Sequence, residues 1–157
     1  MASSRTASYT TLIPDTRYNS LLLSKFINCL MHDGKKSTAT RVVYGALDQI
    51  KKRMPDVDPI EVFNGAVENV KPSLEVRSRR VGGANYQVPM QVKPRRQQSL
   101  AMRWILAAIR AKAGRPMHLI LADELMAAFR REGEAMSKRE QTIKMAEANK
   151  AFSHFAW

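Results

Sequence analysis

The sequence lacks what several classes of protein require. Cys29 is its only cysteine, so the chain forms no intramolecular disulfide and no cysteine-based zinc site, and a reducing compartment is its natural environment. None of its apolar runs approaches the roughly 18 residues that cross a bilayer, and its first fifteen residues have no charged segment followed by an apolar one. We therefore expect an unexported cytoplasmic protein with no membrane partner.

The residues that commonly build catalytic or metal sites are also poorly arranged. The three histidines, His32, His118 and His154, are far apart in sequence, and no pair has the i, i+4 spacing that suits a metal on one helix. Asp123 and Glu124 are adjacent, so a helix would direct them to different sides, which argues against a paired-carboxylate site. We expect no enzymatic activity, no metal and no cofactor.

Acidic residues are nearly absent from residues 71–115, where Glu75 is the single one. The same stretch contains eight arginines and three lysines, so it carries +10 of the formal net charge of +12. The basic residues are Lys71, Arg77, Arg79, Arg80, Lys93, Arg95, Arg96, Arg103, Arg110, Lys112 and Arg115. A run of charge is usually just the solvated face of a helix, but an excess this concentrated predicts a polyanionic partner. The preponderance of arginine favours bidentate contacts with phosphates.

Apolar residues recur at helical spacing in six segments of this 157-residue chain, which is a suitable length for one domain. The first three helices are predicted after Ser20, from a cap at Ser37 to Pro55, and from a cap at Asp58 to Pro72. The fourth follows Pro94, the fifth begins near Met117, and the sixth begins with a capping box of Ser137 and Glu140 and continues to about Ala151. We expect Trp104 and the methionines to fill the core, and Cys29 to be a small buried group.

Between the third and fourth helices the apolar period changes from 3.6 to 2, which predicts two strands. Gly82 and Gly83 separate them, and Pro89 cannot donate to a strand ladder, so we expect an isolated hairpin. The predicted fold class is mainly α: a six-helix, bundle-like body with one protruding β-hairpin arm. The predicted divisions are a flexible N-terminal arm at 1–17 and a single helical domain at 18–157 that includes the hairpin arm at 73–92.

The hairpin tip presents two alternatives. Tyr86, between Asn85 and Gln87, could stack on an unpaired base, or it could be one packed tyrosine in an ordinary turn. The function also has alternatives, because a free-standing messenger- or DNA-binding regulator would use the same basic surface. An interfacial membrane binder would need exposed bulky apolar residues, but the apolar side of the fourth helix is needed for the core.

Three segments resemble a known family. The stretch VENVKPSLEVRSRRVGGANYQVPMQVKPRRQQSLAMRWIL at 67–106, the turn LMHDGKK at 30–36 and the ending MAEANKAFSHFAW at 145–157 are similar to the universal S7 family of small-subunit ribosomal proteins, in its bacterial form. The resemblance covers nearly everything from Leu12 to Trp157. It implies a structural constituent of the bacterial, cytoplasmic small ribosomal subunit.

The resemblance also implies specific partners. It implies a primary binder of the 3′ major domain of 16S rRNA that nucleates assembly of the subunit head. It places the protein at the subunit interface near the decoding centre, with the arm near the exit-site tRNA and mRNA, and with ribosomal proteins nine and eleven as neighbours. Members of the family commonly begin with a run of Arg or Lys, whereas Arg5 is the only basic residue among the first sixteen here, so the N-terminal contact with rRNA is the part of the resemblance that this sequence supports least.

The candidate site residues form two sets. Basic residues from the charge pattern and from positions that match the family's rRNA-facing ones are Lys35, Lys36, Arg77, Arg79, Arg80, Lys93, Arg95, Arg96, Arg103, Arg110 and Arg115. Residues predicted to lie near tRNA and mRNA at the arm tip are Val81, Gly82, Gly83, Ala84, Asn85, Tyr86 and Gln87.

Overall fold

The computed structural model describes residues 11–156. Its elements, in chain order, are α1 (Leu21–Leu30), α2 (Lys36–Arg53), α3 (Pro59–Val70), β1 (Leu74–Val81), β2 (Ala84–Gln91), α4 (Pro94–Ala111), α5 (Met117–Phe129), α6 (Glu134–Ala148) and a C-terminal 3-10 helix (Lys150–Phe155). The predicted fold class is confirmed, because the described residues are mainly helical and a two-stranded antiparallel hairpin lies between α3 and α4.

Two of the predicted helix starts are confirmed by their side-chain caps. The hydroxyl of Ser20 accepts a hydrogen bond from the backbone N–H of Leu23 at 3.2 Å. The carboxylate of Asp58 accepts one from the N–H of Ile60 at 3.1 Å, and Pro59 occupies the first turn of α3. Each cap pairs an N–H group that the helix itself leaves without a partner.

Two other predicted starts are wrong. α2 begins at Lys36, so Ser37 lies inside the helix and does not cap it. α6 begins at Glu134, three residues before the predicted Ser137, and it ends at Ala148. The start of α6 follows from a tertiary contact, because a carboxylate oxygen of Glu124 on α5 accepts a hydrogen bond from the N–H of Ala135 at 3.0 Å. A cap that another helix supplies leaves no local pattern in the sequence.

The core lies where α5 packs on α2 and α3, with α1 and α4 completing it. Phe26 and Phe63 are completely buried and meet edge to face, with ring centroids 5.4 Å apart. Burying one such side chain stabilises the fold by about 1.5–3 kcal/mol. Among the largest fully buried side chains are also Leu23, Leu47, Ile50, Ile105, Ile109, Leu121 and Leu125.

Several residues predicted to be buried are not. Trp104 is half-buried, because it packs against the core on one side and lines a groove between α4 and α6 on the other. Met145 is exposed on α6, although Met102, Met126 and Met136 are buried as expected. Cys29 is exposed on α1, where the residues that bury the helix lie on its other side.

The chain is anchored to α2 before residue 18, the predicted start of the helical domain. The carboxylate of Asp15 is buried and accepts hydrogen bonds from the N–H groups of Arg17 and Tyr18 and from the hydroxyl of Tyr44. Arg17 forms an ion pair with Asp48 at 2.5 Å. Residues 1–10 of the predicted flexible arm lie outside the described residues.

The hairpin has the register Leu74↔Gln91 to Val81↔Ala84, so its loop is the two residues Gly82 and Gly83. Both have positive φ, +59° and +87°, which is the backbone that a two-residue hairpin turn requires. The hairpin is not free along its length. α6 packs on β1, and the C-terminal 3-10 helix packs on β2. The turn at the tip is exposed, and so are the side chains of Arg77 and Arg80 on β1.

Candidate nucleic-acid interface

A strip of basic side chains crosses from the hairpin to α4. We call it the basic strip, and its residues are Arg77, Arg79, Arg80, Lys93, Arg95, Arg96, Arg103 and Arg110. Because side chains alternate along a strand, Arg77 and Arg79 leave one face of β1 and Arg80 leaves the other. Lys93 and Arg95 flank Pro94, the first residue of α4, and two residues separate α4 from the end of β2. The basic strip therefore draws on β1, on the loop after β2 and on α4, with Arg80 on the opposite face of β1 from Arg77 and Arg79.

Glu75 lies at the base of the hairpin and joins its two parts. Its carboxylate is buried and contacts Arg77 of the same strand at 2.8 Å and Arg96 of α4 at 3.3 Å. The side chains of Arg77 and Arg96 keep exposed fractions of 54% and 40%, so their guanidinium groups face both the carboxylate and solvent. The single acid of residues 71–115 is therefore internal to the strip and does not cover it.

The α4 part of the strip is a row of arginines at intervals of seven residues. Arg96, Arg103 and Arg110 extend along about 21 Å of the helix axis at the usual rise per residue. Arg110 donates a hydrogen bond to the carbonyl of Leu30, the last residue of α1, at 3.4 Å. The row therefore points toward the turn after α1, where Lys35 and Lys36 are both exposed.

A groove between α1 and α4 runs beside this row. It has a volume of about 400 Å³, and Lys25, Cys29, Arg103 and Arg110 are among its lining residues. Desolvation raises the pKa of the Cys29 thiol, while the charges of Lys25, Arg103 and Arg110 oppose that rise. Lys25 is a basic groove residue that the sequence analysis missed. In the sequence, Lys25 is a single basic residue between buried positions of α1. Such a residue looks like any other solvent-facing side chain of a helix.

Arg115, predicted to face rRNA, is engaged within the protein. It forms an ion pair with Asp123 at 2.8 Å, and Arg53 contacts the other oxygen of the same carboxylate. Burial alone would raise the pKa of Asp123, but the hydrogen bonds from Arg53 and Arg115 outweigh it and lower that pKa. Arg115 thus helps to hold the turn between α4 and α5 against α2.

Lys112, at the end of α4, is likewise paired within the protein. It donates to the nearly inaccessible carboxylate of Glu124 at 2.9 Å, and this hydrogen bond raises the pKa of Lys112. The same carboxylate caps α6, so Glu124, in the middle of α5, connects the end of α4 to the start of α6. Lys112 and Arg115, beyond Arg110, are thus both paired with acids of α5, although their side chains keep exposed fractions of 40% and 53%.

The hairpin tip is uncharged and mostly exposed. Gly82, Gly83, Ala84, Asn85 and Gln87 are exposed, and Val81 is half-buried. Tyr86 is half-buried because its ring packs against Phe152 and Phe155, with centroids 5.2 Å and 5.1 Å apart. The packed alternative for Tyr86 is therefore the one present in this structure. The packing of the C-terminal 3-10 helix on β2 brings together residues more than sixty positions apart. Sequence periodicity cannot predict such a contact.

The described residues offer little to other kinds of site. Between residues 11 and 156 no group of three His, Cys, Asp or Glu side chains is placed to hold a metal ion. No helix in that part of the chain is long and apolar enough to cross a membrane.

A helical scaffold with a cationic strip and an uncharged hairpin tip defines a class of protein: a small basic scaffold that meets a polyanion through its surface. Comparison with known proteins narrows the class. The model of the family "Ribosomal protein S7p/S5e" matches residues 2–150, and the chain belongs to that family. It is accordingly a structural ribosomal protein and not an enzyme.

Individual relatives agree over nearly the whole length of both chains. The chain is 66% identical to the small ribosomal subunit protein uS7 of Rhodopirellula baltica, across 97% of this chain and 98% of that one. It is 58% identical to the protein of the same name from Thermotoga neapolitana, across 92% of each chain. The corresponding protein of Campylobacter curvus is 55% identical, across 93% of this chain and 94% of its own.

Proposed function

We propose that this chain is a primary rRNA-binding protein of the bacterial small ribosomal subunit, and that its basic strip binds the 3′ major domain of 16S rRNA. Residues 18–157 would be the rRNA-binding domain. By binding early, the protein would nucleate assembly of the subunit head in the cytoplasm. The observation that carries the proposal is the basic strip itself, in which exposed or partly exposed basic side chains follow one another along the chain from β1 to the last turn of α4.

Two features of the strip suit structured RNA. Arginine offers paired donors to phosphate oxygens, and a row along a rigid helix holds those donors at constant spacing. Lys93, Arg80 and Arg103 form no ion pair with a carboxylate among residues 11–156, so their charges remain available for phosphates. Lys35 and Lys36, at the end of the arginine row, would extend the contact beyond α4.

The uncharged tip has a separate proposed role. The tip residues Val81–Gln87 would lie near the exit-site tRNA and the mRNA, at the subunit interface near the decoding centre. The exposed amide side chains of Asn85 and Gln87 can donate and accept hydrogen bonds. Because they are uncharged, they add no electrostatic attraction for the RNA backbone. Ribosomal proteins nine and eleven would be the protein neighbours.

The salt dependence of binding to a transcript of the 16S rRNA 3′ domain tests the proposal. If the strip and the flanking lysines neutralise about eight phosphates, log K should fall with log salt at a slope near −6, because each contact contributes about −0.7 to −0.9. Affinity would then fall by about three to four decades between 50 and 200 mM salt. A slope near −2 would contradict the proposal. Sedimentation of the protein apart from small subunits in cell extract would favour the free-standing regulator instead.

A further inference from the structure

We propose that Glu75 is a positioning residue for RNA binding, which orients Arg77 and Arg96 so that the hairpin and α4 present their charges as one rigid surface. The inference rests on the RNA-binding function proposed above and assigns a role to the one acidic residue of a stretch that otherwise carries only positive charge. A carboxylate inside an RNA-binding surface weakens attraction for phosphate, so its presence there requires a reason.

The geometry couples two elements through one carboxylate. One oxygen of Glu75 accepts hydrogen bonds from Arg77, with the Nε atom at 2.9 Å and an Nη2 contact of 2.8 Å. The other oxygen accepts from Arg96, whose Nε and Nη2 atoms are 3.4 and 3.3 Å away. Arg77 belongs to β1 and Arg96 to the first turn of α4, so Glu75 fixes the two elements relative to each other.

The contacts leave donors for a second partner. Each guanidinium group has five N–H donors, and Glu75 is met by the edge that carries Nε and Nη2. The Nη1 end of each group therefore remains for a phosphate, and both side chains are partly exposed. An arginine held on one edge loses less conformational entropy when it binds on the other, because its rotamer is already selected.

The N-terminal end of α4 lacks an acidic residue of its own, and Glu75 of β1 supplies one. α4 begins with basic residues and has no acidic residue in its first turn, so its positive N-terminal end lies beside Arg95 and Arg96. That arrangement is electrostatically unfavourable without a nearby negative charge. Glu75 supplies the charge from the neighbouring strand, where it is 8% exposed and bonded by both arginines.

The substitution Glu75→Gln distinguishes a positioning role from a simple effect of charge. The two explanations predict changes in RNA affinity of opposite sign. The substitution keeps the shape of the side chain and raises the formal net charge from +12 to +13. If net charge alone governs affinity, the variant binds the 16S rRNA 3′-domain transcript slightly more tightly. If Glu75 orients the arginines, the variant binds about tenfold more weakly, a change equivalent to about 1.4 kcal/mol. Its salt slope should also become shallower by about 0.7 to 0.9, the value of one phosphate contact.

Two controls complete the experiment. Glu140→Gln removes an exposed acid from the middle of α6 and makes the same change in charge. The second control is Glu75→Gln in a variant that already carries Arg77→Ala and Arg96→Ala. If Glu75 acts only through those two arginines, its substitution should not change RNA binding further in that variant. Thermal denaturation followed by circular dichroism sets a binding temperature at which every variant is folded.

The inference stands if Glu75→Gln weakens binding and flattens the slope, if Glu140→Gln does neither, and if Glu75→Gln has no further effect in the double-alanine background. Any other result overturns it. Such results include tighter RNA binding by Glu75→Gln, an equally large loss of affinity when Glu75→Gln is added to the double-alanine variant, and a loss of affinity that an unfolded fraction of the protein explains. A salt slope near −2 for the unsubstituted protein would instead contradict the RNA-binding function itself, so the two failures are distinguishable.

Discussion

The helical body and the hairpin arm owe their order to different interactions. In the body, side chains such as Phe26, Phe63 and Leu47 are completely inaccessible to solvent and pack on all sides. The arm has two strands, with Glu75 and its two arginines at the base and the packing of Tyr86 against the C-terminal 3-10 helix near the tip. A two-stranded hairpin is marginal by itself in water, so these contacts decide how the arm is held.

The residues that stabilise the fold and the residues proposed to bind RNA therefore lie in separate parts of the molecule. The buried residues of α3 and α5 are almost all apolar, whereas the basic strip is formed by residues that the core does not require. Changes in the body should therefore alter unfolding, and changes in the strip should alter RNA binding. Arg77 and Arg96 are exceptions to this division, because both also pair with the buried Glu75.

The largest expected effect lies in the core. Phe63→Ala should reduce the free energy of unfolding by about 3–5 kcal/mol, because it leaves a cavity against Phe26 and forfeits the burial of a ring. Chemical denaturation followed by helical circular dichroism measures the change. Asn85→Ala at the exposed tip is the control and should alter stability by less than about 0.5 kcal/mol. Comparable losses for the two variants would show that the arm and the body share one stabilising core.

The next effect lies in the basic strip. Arg103→Ala should make the salt slope of rRNA binding shallower by about 0.7 to 0.9, without a change in thermal stability, because Arg103 forms no ion pair among the described residues. Arg130→Ala, an exposed arginine at the end of α5, is the matched control and should leave the slope unchanged. Equal effects from both would mean that net charge, and not the strip, governs binding.

A triple replacement of Arg95, Arg96 and Arg103 by Ala should make the slope shallower by about 2 to 3. Unlike Arg103→Ala, it should also lower stability at the base of the arm, because it removes one of the two partners of the buried Glu75. Thermal denaturation beside the binding measurement separates the two consequences. Restoring Arg96 in the triple variant should recover the lost stability. It should recover only about 0.7 to 0.9 of the salt slope, the value of one phosphate contact.

A smaller and more local effect is expected where the arm meets the C-terminus. Phe152→Ala should remove one of the two rings that hold Tyr86 and speed amide exchange in β2, while it changes global stability by about 1 kcal/mol or less. Hydrogen exchange followed residue by residue measures this, with the amides of α3 as an internal reference. If α3 and β2 lose protection together, the arm is part of the same cooperative unit as the body.

The smallest effect on stability and affinity is expected at the tip. Asn85→Ala with Gln87→Ala should leave rRNA affinity and helicity unchanged, but should weaken retention of deacylated tRNA in the exit site and raise the frequency of frame errors. This pair is preferable to shortening Gly82–Gln87, because the deletion would also remove Tyr86 from its contact with Phe152 and Phe155. Normal tRNA retention combined with failed head assembly would show that the tip serves assembly.

Local patterns in the sequence were sufficient for most of the architecture. Apolar spacing of 3.6 predicted the helices, a change of period predicted the hairpin, and Gly82 and Gly83 marked its turn, since few other residues accept positive φ. The start of α1 after Ser20 and the cap at Asp58 were predictable, because apolar spacing and a cap that bonds to the backbone two residues away are both local signals. The concentration of charge in residues 71–115 indicated a polyanionic partner without any reference to tertiary structure.

Tertiary structure alone decided which of those charges are also paired with an acid inside the protein. Arg115 and Arg103 look alike in sequence, but only the packing of α5 against α2 brings Asp123 to Arg115. The start of α6 depended on Glu124 of another helix, and the packing of Tyr86 depended on the chain's C-terminus. Periodicity and capping act over a few residues of backbone, whereas an ion pair or a ring contact depends on the distance between atoms that the fold brings together.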